Sequence, residues 1–344
     1  MGVVYVTSLH EGDGKTAFCA GLASLLRRQG HPANLFKPVR VTDSSPAGEP
    51  DADAAFFAQS QDTLPPGGWP IDVETLEAQQ GLDADTRTRV LAVFQDVGGQ
   101  DVDHIVEGPS MTDAQGVALA LARELPEALE AKVILLVRYS PGLRIEEVLN
   151  GARSLGSRLL GVVVNGVLRY RTHAARTVLV GPLEEQGISV LGVLPESRCV
   201  GTGVTVGQIA EHLGGEFLLL EEKGDQLVDH LMIGGLGLDN GALYFGQSET
   251  KAVIVRGDRP DVQMAALGTP TRCLVLTGGH QPIQYIQYEA KESGVPVILV
   301  RGDTVATAKA LETLLDAATV HHPEKTESFA GMLEGVIDPQ ALLL

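Results

Sequence analysis

The residues with the most chemistry to offer stand near the start of the chain, in the order Glu11-Gly12-Asp13-Gly14-Lys15-Thr16. A β-rich run, Val3-Val4-Tyr5-Val6, leads into them. Helical spacing follows, with Phe18, Leu22, Leu25 and Leu26 on one side and Gly30 as a stop. A strand, a glycine-containing turn and a helix N-terminus in succession make an anion site, because backbone N–H groups and the helix dipole face the same point. Lys15 is then placed to reach β- and γ-phosphates, and the Thr16 hydroxyl to ligate magnesium. The ordinary motif has Gly where this chain has Leu9, but Gly-Lys-Thr falls where a first strand meets a first helix. ATP and Mg2+ are therefore the expected cofactors, held by the residues from Glu11 to Thr16.

Further polar side chains fall where strands are expected to end. Magnesium wants hard oxygen donors, often one or two carboxylates completed by phosphate and water. Thr16, Asp53 and Glu107 can supply them, with Asp51 as the alternative to Asp53. Lys37 would stabilise negative charge on a phosphate or a substrate carboxylate, so Lys15 and Lys37 are the candidate catalytic residues. Asn165 carries an amide that can both donate and accept hydrogen bonds.

Positioning these residues needs alternating strands and helices. Strand-like runs are read at residues 2–8, 33–39, 104–107, 131–137, 159–165 and 190–194, with helices at 15–29, 82–96, 115–130, 145–154 and 171–186. Residues 41–69 read as mostly irregular, with a short helix at 52–59. The alternation predicts an α/β fold, a doubly wound parallel sheet with its ligands at the strand ends. After a polar stretch at 197–207, a second set begins. Strands are read at 227–234, 251–256, 272–276 and 295–300, and helices at 261–267, 283–293 and 304–315. The expected organisation is a nucleotide-binding domain at 1–205, a smaller α/β domain at 206–320 and a C-terminal tail at 321–344, either mobile or a partner-facing helix. The adjacent His321-His322 pair reads as tail residues rather than as metal ligands.

Composition limits the function classes. The 344 residues carry 44 acidic and 26 basic side chains, a formal charge of −18. Such a surface repels nucleic acid and anionic lipid, and the basic stretch Arg169–Arg171 with Arg176 reads as a solvated loop. Cys19, Cys199 and Cys273 are far apart without metal spacing, as expected of reduced thiols in a cytoplasm. No run of about 18 apolar residues is present, so no membrane span is expected.

Several segments together resemble dethiobiotin synthetases. Residues 7–16 look like their phosphate loop, whose first glycine falls one place early; Ser8 stands there in this chain. Phe36-Lys37-Pro38-Val39 resembles their Lys-Pro motif, Asp51-Ala52-Asp53-Ala54 their magnesium-binding segment, and Ile105-Val106-Glu107-Gly108 their Val-Glu-Gly. Residues 161–165 resemble the strand whose Asn recognises adenine, and residues 191–196 the Gly-x-x-Pro-Glu segment after it. By this resemblance Asn165 and Pro195 join the nucleotide site. Arg256-Gly257-Asp258-Arg259-Pro260-Asp261 and Thr277-Gly278-Gly279 resemble a DRTGG domain. The pair in this order is similar to the N-terminal portion of long phosphotransacetylases and to BioD-like phosphotransacetylase family members. The acyltransferase domain that follows in those proteins has no counterpart before Leu344, so acetyl transfer is not expected of this chain alone.

The resemblance implies an ATP- and magnesium-binding regulatory or accessory protein. Its implied partners are a homo-oligomer and a separate acyltransferase; slow ATP hydrolysis would fit the same reading. The two-domain architecture further suggests a small anionic metabolite near residues 258–261 or 277–279, with Arg259 as charge partner; the other reading of the first segment is a turn whose acids cap the helix expected at 261–267. The alternative is a ligase that activates a carboxylate or carbamate. Against the biotin substrate stands Pro109-Ser110-Met111-Thr112-Asp113 after Glu107-Gly108, a loop of different shape with an extra charge. An ATPase switch of the partner-positioning type ranks lower, because its early second lysine is replaced by His10.

Overall fold

The structure is a computed structural model and describes residues 2–42, 51–60, 70–97, 102–235, 241–339 and 342. Most of the irregular stretch expected at 41–69 lies outside them. The chain divides into two compact units, one of Met1–Ser197 with His321–Leu344, the other of Arg198–Val320.

In the first unit the strands are β1 (Val3–Ser8), β2 (Ala33–Phe36), β3 (Val39–Thr42), β4 (Ile71–Glu74), β5 (Asp103–Glu107), β6 (Lys132–Arg138), β7 (Leu159–Val167) and β8 (Val190–Pro195). Six form one parallel sheet in the order β2-β5-β1-β6-β7-β8, and β3 pairs with β4 apart from it. The central strands are buried and nearly all apolar, as a sheet covered on both faces requires. The strand expected at 33–39 stops at Phe36 and restarts as β3, with Pro38, which has no N–H to give a ladder, between the two pieces.

Two expected helices are shorter or broken. Of the helix expected at 115–130 only Leu121–Ala128 forms. Upstream, the Asp113 carboxylate accepts from the N–H groups of Gln115 and Val117, a local turn that competes with helical bonding. The expected 171–186 helix is interrupted by a π-turn at Arg176–Val180.

The first unit does not end where its sheet ends. Residues expected to be a separate tail return to it as the helix Pro323–Leu333, which packs on α1 (Lys15–Arg28). Phe329 meets Phe18 edge-on, with ring centroids 6.3 Å apart. Gly21 permits the approach, since a Cβ there would sit 2.8 Å from the Phe329 ring. Ser24 donates to Glu327 at 2.6 Å, and Arg28 pairs with the same carboxylate. The helix has an apolar face of Phe329, Ala330 and Leu333 that needs cover.

The second unit holds β9 (Val204–Thr205), β10 (Glu216–Leu219), β11 (Leu227–Val228), β12 (His230–Ile233), β13 (Lys251–Arg256), β14 (Cys273–Thr277) and β15 (Val297–Leu299). Five of them form a sheet ordered β10-β15-β14-β13-β12, parallel except for β10. The unit opens with Arg198–Thr202, then a helix at Val206–Leu213 whose Thr205 and Gln208 exchange capping hydrogen bonds; neither helix nor β10 was expected from the sequence. Among the described residues no helix is long and apolar enough to cross a membrane.

Candidate functional site

One edge of the first sheet gathers the candidate residues, because parallel strands send all their carboxyl ends the same way. Across the sheet they run as Lys37 after β2, Glu107 at the end of β5, the loop after β1, Asn165 near the end of β7 and Pro195 at the end of β8.

The loop between β1 and α1 owes its shape to glycines and internal bonds. Gly12 and Gly14 take φ values of 80° and 101°, where side chains are strained. The Asp13 carboxylate is buried and accepts from the His10 N–H at 3.0 Å; burial raises its pKa. Asp13 therefore shapes the loop from within, and Glu11 and Gly12 are exposed. Lys15 Nζ donates to Ser8 Oγ at 3.0 Å, back along the loop. Asn165 Nδ2 donates to the Asp13 carbonyl at 2.8 Å and lies 2.6 Å from where a Gly14 Cβ would stand. Asn165 thus buttresses the loop, which leaves one of its amide donors committed. Pro195 is exposed and pairs with Val167 at the sheet edge.

Below the loop, Thr16 Oγ1 donates to Glu107 Oε1 at 3.1 Å. Glu107 is buried, and its Oε2 has no hydrogen-bond partner among the described residues. Burial pushes its carboxyl up to about 7, against the opposing charges of Lys37 and Lys15. A hydroxyl and a buried carboxylate with an unused oxygen are the donor set that a hard cation takes.

Lys37 sits among acids. Its Nζ donates to both oxygens of the buried Asp51, at 3.1 and 2.9 Å, and to Asp53 Oδ2 at 2.6 Å. Burial lowers the lysine pKa, but Glu107, Asp53 and Asp51 outweigh it and hold the ammonium above its ordinary value. Asp51 also caps α2 (Ala52–Ser60) by accepting from the Ala54 N–H at 2.9 Å. Asp53 Oδ1 accepts from His321 Nε2 at 2.8 Å. Burial alone would raise the Asp53 pKa; the His321 hydrogen bond and the Lys37 charge hold it well below the usual carboxylate range. The structure thus joins Thr16 to Glu107, while Asp53 belongs to a cluster with Lys37, Asp51 and His321.

His321 was read from the sequence as a tail residue and is instead part of this cluster; His322 accepts from the Glu324 N–H and caps the helix that follows. The legible signal was Pro323 at the start of a run with Phe329 and Leu333 at helical spacing. The extra charge at Asp113 is engaged by Gln79 and by backbone N–H groups of its own turn. That loop is knit to the phosphate loop: Thr7 donates to the Pro109 carbonyl, and the Met111 N–H to that of Ser8.

In the second unit Arg259 forms two bonds to Asp261, at 2.9 and 2.7 Å, and Arg256 pairs with Asp258. Asp261 does not cap its helix, which begins at Pro260. Gly278 and Gly279 turn at positive φ, and their N–H groups donate to Gly302 and Val300.

A parallel sheet with a glycine-bearing loop at its first helix defines a P-loop α/β domain, followed by a second α/β domain with its own sheet. Residues 3–202 match the family model described as AAA domain, and residues 208–314 the DRTGG domain. The chain belongs to the AAA domain family and carries a DRTGG domain after it. It is similar to the ATP-dependent dethiobiotin synthetase BioD of Bacillus velezensis, 25% identical over 240 residues, covering 64% of this chain and 98% of that protein. It is also similar to a phosphate acetyltransferase of Nitratidesulfovibrio vulgaris, 22% identical over 364 residues, covering 98% of this chain and 51% of the relative. The chain thus spans about half the length of that acetyltransferase. Among solved structures, the CBS and DRTGG domains of the regulatory region of Clostridium perfringens pyrophosphatase, complexed with diadenosine tetraphosphate, align with a TM-score of 0.30 at 16% identity, over 41% of this chain and 70% of that one.

Proposed function

We propose that the chain binds ATP with magnesium at the loop Glu11–Thr16 and serves as a regulatory or accessory protein of the phosphotransacetylase N-terminal type. The observation that carries this reading is the pair beneath the loop, Thr16 bonded to Glu107, with a buried Glu107 oxygen left unused. Among the described residues no group of three or more His, Cys, Asp or Glu makes an all-protein cage. Phosphate oxygens would complete the shell begun by Thr16 and Glu107, with Asp53 as the further candidate ligand. Magnesium there would neutralise phosphate charge and relieve the cost of ionising Glu107. Lys15 would exchange Ser8 for the β- and γ-phosphates, as its flexible stem allows, and Asn165 would hold the loop in its anion-binding form. Slow transfer of the γ-phosphoryl group to water would need nothing beyond these groups.

The second domain, in this proposal, takes a nucleotide or a small anionic metabolite, and the partner is a separate acyltransferase. A second reading rests on Lys37: a partly buried ammonium beside the same site could hold a carboxylate or carbamate for activation by ATP. ADP release that depends on an added carboxylate would favour it.

The test is thermal unfolding with ATP–Mg. A ligand at about 100 times its Kd stabilises the native state by about 2.7 kcal/mol. The wild type should show such a shift, and Lys15→Ala should lose most of it while keeping its ligand-free melting temperature. Equal shifts in both proteins would remove the loop from the site.

A further inference from the structure

His321 lies 268 residues from Asp53 in sequence, outside the stretch that matches the AAA domain model, yet it bonds to a side chain of the P-loop unit. Several observations fix how it does so. Its ring packs against Phe56 of α2, with centroids 5.3 Å apart. The segment that carries it is tied down by the helix Pro323–Leu333, seated on Phe18, Gly21, Ser24 and Arg28 of α1. That same α1 presents Lys15 and Thr16 at its first turn. One rigid helix therefore sets both the Thr16 hydroxyl and the imidazole that grips Asp53.

The two Asp53 oxygens have different partners, Oδ1 with His321 and Oδ2 with Lys37. With a carboxylate as acceptor, the His321 nitrogen donates. Each carboxylate oxygen has a second lone pair, so the imidazole bond orients Asp53 without using up its capacity for a cation. Without it, Lys37 would be the remaining side-chain partner of Asp53 among the described residues, and its three N–H groups already have Asp51 as an alternative. The carboxylate would then be free to rotate.

We propose that His321 is a positioning residue for the metal site, acting through Asp53, so that residues after the second domain complete the magnesium site of the first. The proposal rests on the ATP–magnesium reading above. Outer partners of metal ligands are worth about 10- to 100-fold in metal affinity, and that is the effect expected here.

The full chain, with ATP bound, is titrated with Mn2+ and free Mn2+ is followed by electron paramagnetic resonance; ATP affinity is measured separately in EDTA. His321→Phe keeps a ring against Phe56 and removes only the hydrogen bond. It should weaken Mn2+ binding about 10-fold or more and leave metal-free ATP affinity unchanged. His321→Gln, whose amide reaches the same place, should recover most of the loss. In an Asp53→Ala background His321→Phe should have no further effect. Equal Mn2+ affinity in wild type and His321→Phe, a parallel loss of metal-free ATP binding, or a loss that persists without Asp53 would each overturn the positioning role alone. A wild type that binds neither ATP nor Mn2+ would overturn the nucleotide reading together with it.

Discussion

Replacing Glu107 with glutamine should stabilise the protein at alkaline pH while removing its response to magnesium. Glu107 is buried, has one unpartnered oxygen, and its carboxyl is pushed from an ordinary 4.5 up to about 7. Between those values the native protein keeps a proton that the unfolded chain has released. Stability therefore falls as pH rises through this window, and the loss is complete above the folded value. A change of this size corresponds to about 3 kcal/mol. Glutamine keeps an oxygen for the Thr16 hydroxyl and carries no charge. The variant and the wild type should be nearly equal at about pH 4.5, where the wild-type carboxyl holds its own proton, and should differ by about 3 kcal/mol in the variant's favour above about pH 8. Urea unfolding at a series of pH values reads the difference directly. His104, buried on the same strand with neither ring nitrogen hydrogen-bonded among the described residues, has its pKa lowered by burial. It loses stability in the opposite direction, as pH falls below its unfolded value, but it is common to both proteins and cancels. A gap between variant and wild type that does not change with pH would refute the assignment of the buried charge. A magnesium-dependent ATP shift that survives in the variant would remove Glu107 from the cation site.

Two further substitutions test the frame around the site. Gly14→Ala puts a Cβ on a backbone with φ 101° and 2.6 Å from the Asn165 amide; it should cost about 1–2 kcal/mol from the left-handed backbone alone and remove the ATP–Mg thermal shift, whereas a full shift would show that the loop tolerates the displacement. Phe329→Ala empties a buried contact with Phe18 and should cost about 3–5 kcal/mol in urea unfolding, while a loss under about 1 kcal/mol would mean that the C-terminal helix is not part of the first unit's core.

The phosphate loop was legible because its information is local: two glycines, a lysine and a threonine between an apolar run and an amphipathic one fix the turn without help from distant residues. The placement of Glu107 and Lys37 at strand ends was legible because short apolar runs stop at a charged residue. The grip of Asn165 on Asp13 was not, since an amide on β7 gives no sign of which backbone carbonyl it will meet. His321 was hidden by sequence distance and by an adjacent histidine that invites dismissal as a tail. Helix ends at 115–121 and 176–180 were misjudged where a side chain or a π-turn displaced the regular bonding that spacing alone suggests.

Because the chain leaves the first unit at Ser197 and rejoins it at His321, that unit is discontinuous, and its completion has a place in time. A ribosome working at about 5–20 residues per second needs about 6–24 s to make the roughly 120 intervening residues. Throughout that interval the stripe of α1 that runs from Phe18 through Gly21 to Ser24 has no Phe329 or Glu327 to meet. The nascent P-loop unit would carry an uncovered apolar strip during synthesis of the whole second unit, a site for a chaperone or for a neighbouring nascent chain. The second unit, folded in the meantime, would deliver the closing helix last.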